Sequence, residues 1–212
     1  MTLLYLIRHA RSTWNAEGRM QGQADLPLDG VGRQQAQALA ARLQNETLHA
    51  IYSSPLARAR ETAEVVAALH GLPITFDDRL MERNLGRWTG LTGDEANEQF
   101  PERANSDWRV TGPPGGESHE ALATRAVQAF DGIVAAHPDQ AVAVISHGGT
   151  LSAYLVHLLG VQTNKHVAFR FDNTAIARVK VSDRSIYLLS VGDDQHLDDM
   201  RIRLDSLPSA EK

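Results

Sequence analysis

Leu3-Leu4-Tyr5-Leu6-Ile7-Arg8-His9-Ala10 is an apolar run that stops abruptly at a cation and an imidazole. Five apolar residues in succession are few for a helix and suit a strand buried on both faces of a sheet. Arg8 and His9 then fall where the strand leaves the sheet, the carboxyl end at which open α/β sheets hold their ligands. The design returns far along the chain in Val142-Ala143-Val144-Ile145-Ser146-His147-Gly148-Gly149-Thr150. There too an apolar run ends at a histidine, and small residues lead into a helical pattern at Leu151, Leu155, Leu158 and Leu159.

Between these strands the chain alternates. The glycine-bearing stretch from Ala16 to Gly30 lacks periodicity and reads as a loop folded over the end of the first strand, with Asp29 a helix N-cap. Ala36, Leu39, Ala40 and Leu43 then mark an amphipathic helix over 30–44. Ile51 to Ser54 is a short strand stopped by Pro55, which the sequence places in the first turn of a helix ending before Gly71. Arg58 lies in that first turn, where a cation is unfavourable by ~0.3–1 kcal/mol and a bound anion would account for it.

A strand over 74–76, a partly helical insertion over 88–116, a long helix over 117–137 and two strands at 175–181 and 185–191 complete the order. The last two join at Asp183-Arg184 as an antiparallel pair at one edge, and the polar tail from Asp193 is expected to fray. No linker divides the chain, so residues 1–212 are read as one domain with 88–116 covering the site. Trp88 and Trp108 are read as packing residues.

With 212 residues, 42% of them apolar, the chain has ample material for a core. A net charge of -5 argues against nucleic-acid and anionic-membrane partners, which demand a cationic face. The absence of cysteine excludes disulfides and thiolate catalysis. No apolar run approaches the ~20 residues of a membrane helix, and the N-terminus lacks a leader pattern, so a cytoplasmic location is expected. A homodimer is compatible with the sequence.

Gathered at the strand ends, Arg8, His9, Arg58, His147 and Glu82 would form an anion site. Guanidinium groups repel metal ions, and the histidine spacing is not that of a zinc helix, so no metal and no cofactor are expected. Arginine forks pair with phosphate oxygens, and a neutral imidazole can attack phosphorus to give a phosphohistidine. His9 is the candidate nucleophile. The arginines, with His147 if protonated, would offset charge on the equatorial oxygens, and Glu82 is the candidate general acid and base.

Arg8-His9-Ala10 with Ser12 to Asn15, Ser53-Ser54-Pro55-Leu56-Ala57-Arg58-Ala59, the Glu82 segment and Ser146-His147-Gly148-Gly149 together resemble the histidine phosphatase superfamily, in its phosphoglycerate mutase-like branch. The resemblance runs from about residue 3 to 160. It implies a three-layer α/β/α sandwich whose sheet is mostly parallel with an antiparallel edge strand. It also implies His9 as the phosphorylated residue and Arg8, Arg58, His147 and Asn15 as phosphoryl contacts. Gln21, Gly22 and Gly148 would then lie against the substrate, and Glu82 would be the acid/base.

The sequence departs from the family pattern at Ala10, where glycine is usual, and at Arg11, where Glu or Gln is frequent. Mutases carry a lysine at the place of Gly93 and paired arginines at the places of Arg109 and Val110. The partial loss of those cations favours a metal-independent phosphatase of small phosphorylated metabolites, although Arg83 matches the mutase pattern and is a candidate substrate contact. A cofactor-dependent phosphoglycerate mutase is the alternative, followed by a catalytically weak phospho-ligand binding module. Neither a G-x-S-x-G elbow nor a G-x-G-x-x-G after the first strand is present.

Overall fold

The computed structural model describes residues 1–102, 108–161 and 167–198, with the Arg109 side chain left out. Residues 103–107 of the 88–116 segment and the tail beyond 198 lie outside the described residues. Strand β1 (Thr2–Arg8) occupies the middle of a six-stranded sheet of order β3-β2-β4-β1-β5-β6. β2 (Ala50–Ser53), β3 (Ile74–Phe76) and β4 (Ala141–Ser146) run parallel with β1, while β5 (Ile176–Val181) pairs antiparallel with β1 and β6 (Ile186–Asp193) pairs antiparallel with β5. The antiparallel edge is therefore two strands wide.

Both faces of β1 are covered, which is why its sequence does not alternate. Leu4 and Leu6, with Val142 and Val144, face helices α6 (His119–Ala136) and α7 (Gly148–Leu158) through Phe130, Ile133, Leu151 and Tyr154. Tyr5 and Ile7, with Ala143 and Ile145, face α2 (Gly30–Leu43) and α3 (Ala57–His70) through Leu39, Leu43, Ala63 and Val66. The three-layer α/β arrangement follows. The β1–β4 register pairs Leu3 with Ala141 and Arg8 with Ser146, so His9 and His147 leave the sheet side by side. A one-residue slip would pull the Arg8 charge into the core, at a cost of several kcal/mol.

Three local expectations need correction. Ser12 and Asn15 form a capping box for a short helix α1 (Thr13–Ala16), too brief to show periodicity. Helix α3 begins at Ala57 rather than Pro55, and its N-terminus lacks a side-chain cap from its own N-cap residue Leu56. The carboxylate of Asp25 takes that place from the loop, accepting the Ala57 N–H at 2.6 Å. A carboxylate of the chain thus lies at the helix end that carries Arg58.

The chain past Asp193 does not fray at once. A 3-10 turn over Gln195–Leu197 buries Leu197 and joins His196 Nε2 to Thr174 Oγ1 at 2.9 Å. Asp29 caps α2 as expected, accepting the Gly32 N–H at 2.6 Å, and also pairs with Arg11 at 2.8 Å. The unusual Arg11 thereby has a structural partner. No helix among the described residues is long and apolar enough to cross a membrane.

Candidate active site

The carboxyl ends of β1 and β4 open into a pocket of about 260 Å³ lined by Arg8, His9, Asn15, Gln21, Gly22, Arg58, Glu82 and Arg83. Every site residue expected from the sequence lines it except His147 and Gly148. His147 is fully buried directly behind, its ring centroid 5.0 Å from that of His9. Gly149 takes the place expected for Gly148, and Arg19, Leu85 and Trp108 complete the wall. Trp108 also packs edge-on against Trp88 at 5.0 Å, so its expected packing role is only part of its placement.

Two hydrogen bonds fix the tautomer of His9, which is 3% exposed. The Ala10 carbonyl can only accept, so His9 Nδ1 donates to it at 2.7 Å. Arg58 Nε can only donate, so its bond of 3.2 Å requires a lone pair on His9 Nε2. The nitrogen facing the arginines is therefore the nucleophilic one. Burial first, then the charges of Arg58 and Arg8, hold the His9 imidazolium form well below its ordinary pKa.

Arg58 is 1% exposed and donates from its two terminal nitrogens to the carbonyls of Ala24 and Gly22, each at 2.8 Å. Burial draws its pKa down to about 10, with the charges of Glu82 and Asp25 opposing that fall, so it stays a cation at neutral pH. Arg8 donates to the Phe171 carbonyl at 2.7 Å. His147 shares a 2.8 Å hydrogen bond with Ser54 Oγ through Nε2, while its buried Nδ1 has no partner among the described residues. Burial, Arg58 and His9 keep it neutral, so any positive charge it lends must be induced by an arriving anion.

That arrangement sets a stability profile. The ordinary histidine value is 6.5, and both imidazoles are lowered from it, so below that pH the unfolded chain binds more protons than the ligand-free folded chain. Stability is expected to hold above pH 6.5 and to fall progressively below it. Melting followed by circular dichroism from about pH 7.5 to 5 should show this slope, with a shallower one in His147→Asn; equal slopes would overturn the assignment.

Glu82 is placed by the backbone around it. Its Oε1 accepts the Arg83 N–H at 2.8 Å and its Oε2 accepts the Gly149 N–H at 3.1 Å. A Cβ at position 149 would lie 2.4 Å from Oε1, which explains a second consecutive glycine there. The Glu82 carbonyl is held by Gln23 Nε2 at 3.0 Å and Arg125 at 2.9 Å. Arg125 also grips the Arg79 and Met81 carbonyls and pairs bidentately with Glu117. Nothing in the local sequence marks Arg125, because its partners lie more than 40 residues away except Glu117.

Arg83 Nε donates to the Glu117 carbonyl at 2.8 Å, and Arg19 bonds the Gly90 carbonyl and Glu95 at 2.8 Å each. Helix α4 (Gly93–Gln99) starts at Gly93, and helix α5 (Trp108–Thr111) holds Val110, which is exposed. No group of three or more metal-ligating side chains occurs among the described residues.

A buried imidazole with one free lone pair, backed by a second imidazole and flanked by two guanidinium groups and a carboxylate, is an arrangement for phosphoryl transfer. Residues 4–194 match the family model of the histidine phosphatase superfamily (branch 1), and the chain belongs to that family. Within it, the chain is a phosphomonoesterase of small molecules.

Phosphoserine phosphatase 1 of Hydrogenobacter thermophilus is 35% identical over 204 residues, covering 93% of this chain and 95% of that protein. A metal-independent phosphoserine phosphatase of Arabidopsis thaliana is 35% identical over 205 residues, covering 93% and 84%. The solved structure of Bacillus stearothermophilus YhfR aligns with a TM-score of 0.84 at 33% identity, covering 93% of this chain and all of that one.

Proposed function

We propose that the chain hydrolyses phosphomonoesters without a metal, through a phosphohistidine on His9 Nε2. The observation that carries this reading is the opposed pair of hydrogen bonds on His9, which leaves Nε2 as the lone-pair nitrogen inside a pocket of fixed cations. When substrate enters, Arg58 gives up its 3.2 Å bond to Nε2 and turns that donor to a phosphoryl oxygen. Nε2 forms a bond to phosphorus as the ester P–O bond breaks, and Glu82 in its acid form protonates the leaving oxygen. Water then attacks the phosphorus, Glu82 takes its proton, and the P–N bond breaks to release phosphate. Arg8, Arg58, His147 and the Asn15 amide offset charge on the oxygens throughout.

Gln21, Gly22, Arg83 and the 88–116 segment, read as a cover on a single domain, bound the organic part of the substrate. Arg19 and Arg83 at the pocket wall suit a carboxylate beside the phosphate, and phosphoserine is the first substrate we propose. We place the enzyme in the cytoplasm as a homodimer, an assembly that would cover the apolar side chains exposed along β6, Ile186, Tyr187, Leu188, Leu189 and Val191.

The test is phosphate release from phosphoserine, 3-phosphoglycerate and para-nitrophenyl phosphate in EDTA, with light scattering for the assembly. Turnover in EDTA is expected, fastest on phosphoserine. Activity that requires an added divalent ion would overturn the mechanism. Interconversion of monophosphoglycerates primed by 2,3-bisphosphoglycerate, with no net phosphate release, would move the chain to the mutase reading.

A further inference from the structure

Residues 171–174, just before β5, touch three members of the pocket without lining it. The Phe171 carbonyl accepts from Arg8 at 2.7 Å, and the Thr174 N–H donates to the Arg8 carbonyl at 3.1 Å. Thr174 is fully buried at a φ of 60°, a left-handed conformation that a β-branched residue adopts only when its surroundings impose it. Its hydroxyl is held in turn by the Asn173 carbonyl at 2.7 Å and by His196. Between these, the Asn173 side-chain NH2 donates to the His9 carbonyl at 3.0 Å and to Asn15 Oδ1 at 3.4 Å.

The second bond supports the way Asn15 faces. An asparagine amide presents a donor at one end and an acceptor at the other, and only the donor end is useful to a phosphoryl oxygen. The Ser12 N–H, which can only donate, holds Asn15 Oδ1 at 3.2 Å and so turns the oxygen end away from the pocket, and Ser12 Oγ lies against it at 3.0 Å. The Ser12 hydroxyl, however, has a nearer partner in Gln21 Oε1 at 2.7 Å, and a hydroxyl can serve either end of an amide. Asn173 brings only its NH2 end to this point, because the same group is anchored on the His9 carbonyl. At 3.4 Å the contact is long, so it reinforces the orientation that the Ser12 N–H sets rather than imposing it alone.

We propose that Asn173 is a positioning residue: it tethers the carbonyl of the nucleophilic histidine and, together with the Ser12 N–H, holds the Asn15 amide with its NH2 turned to the phosphoryl group. This rests on the phosphoryl-pocket reading above. It also predicts a sign. An aspartate at 173 has nearly the same shape but only acceptors, so it would lose the His9 tether and set a charged oxygen against both the His9 carbonyl and Asn15 Oδ1, opposing the orientation that the Ser12 N–H holds.

The test is a double-mutant cycle on kcat/KM, with binding of inorganic phosphate to each variant measured by calorimetry and melting followed by circular dichroism. Asn173→Ala is expected to lose about tenfold in phosphate affinity and in kcat/KM, and Asn173→Asp about a hundredfold, at similar melting temperatures. In an Asn15→Ala background the Asn173→Ala step should shrink to about threefold or less, the remainder coming through His9. Equal losses in both backgrounds, or an aspartate no worse than the alanine, would overturn the proposal. Phosphate affinity needs no turnover, so wild-type binding without hydrolysis would refute the phosphatase reading while the affinity ratios still decide the role of Asn173.

Discussion

Replacing His9 by alanine is expected to reduce phosphate release by about 10⁴-fold or more, the largest effect of any single change in the chain. The other pocket groups can bind and polarise a phosphate, but the His9 lone pair is the one positioned to bond phosphorus, because His147 is fully buried behind it. Loss of the nucleophile therefore removes the covalent route rather than weakening it. The measurement is steady-state release in EDTA, paired with trapping of an acid-labile phosphoenzyme after mixing with labelled substrate. A phosphoenzyme still formed by His9→Ala would move the nucleophile elsewhere and end the assignment.

Removing Arg58 is expected to be nearly as severe and to leave a different signature. Arg58→Ala deletes a desolvated cation together with three bonds, to His9, Gly22 and Ala24, so kcat/KM should fall by about 10³-fold. After burial, the Arg58 charge is the largest influence holding His9 neutral. Without it the imidazolium form is easier to reach, the His9 pKa rises, and the acid limb of the pH–rate profile moves to higher pH. Arg58→Lys should recover little, since a single ammonium cannot span two carbonyls and a histidine at once. A loss of less than tenfold with an unmoved acid limb would sink this account.

Much of the architecture is legible in the chain because its central strands announce themselves: an uninterrupted apolar run means two covered faces, and a histidine after it marks the carboxyl end. The short helix at 13–16 escapes a periodicity argument, although Ser12 and Asn15 carry the capping signature that could have revealed it. A scan cannot decide which of Gly148 and Gly149 meets the pocket, since the answer depends on where Glu82 arrives in space. Arg125, Asn173 and the Asp25 cap remain hidden for the same reason. Each acts on backbone or side-chain atoms brought near only by the finished fold, and nothing in its local sequence separates it from an ordinary surface residue.

The register that sets Leu3 opposite Ala141 also governs how the molecule is made. β1 is made before either of its neighbours and has none available until β4 and then β5 have been synthesised, so its pairing has a high contact order and closes late. Until then an apolar N-terminal segment waits without a partner, exposed to chaperones and to misassociation. A nascent chain halted before residue 176 would lack one flank of that strand, and affinity for phosphate should emerge only once β5 has been made.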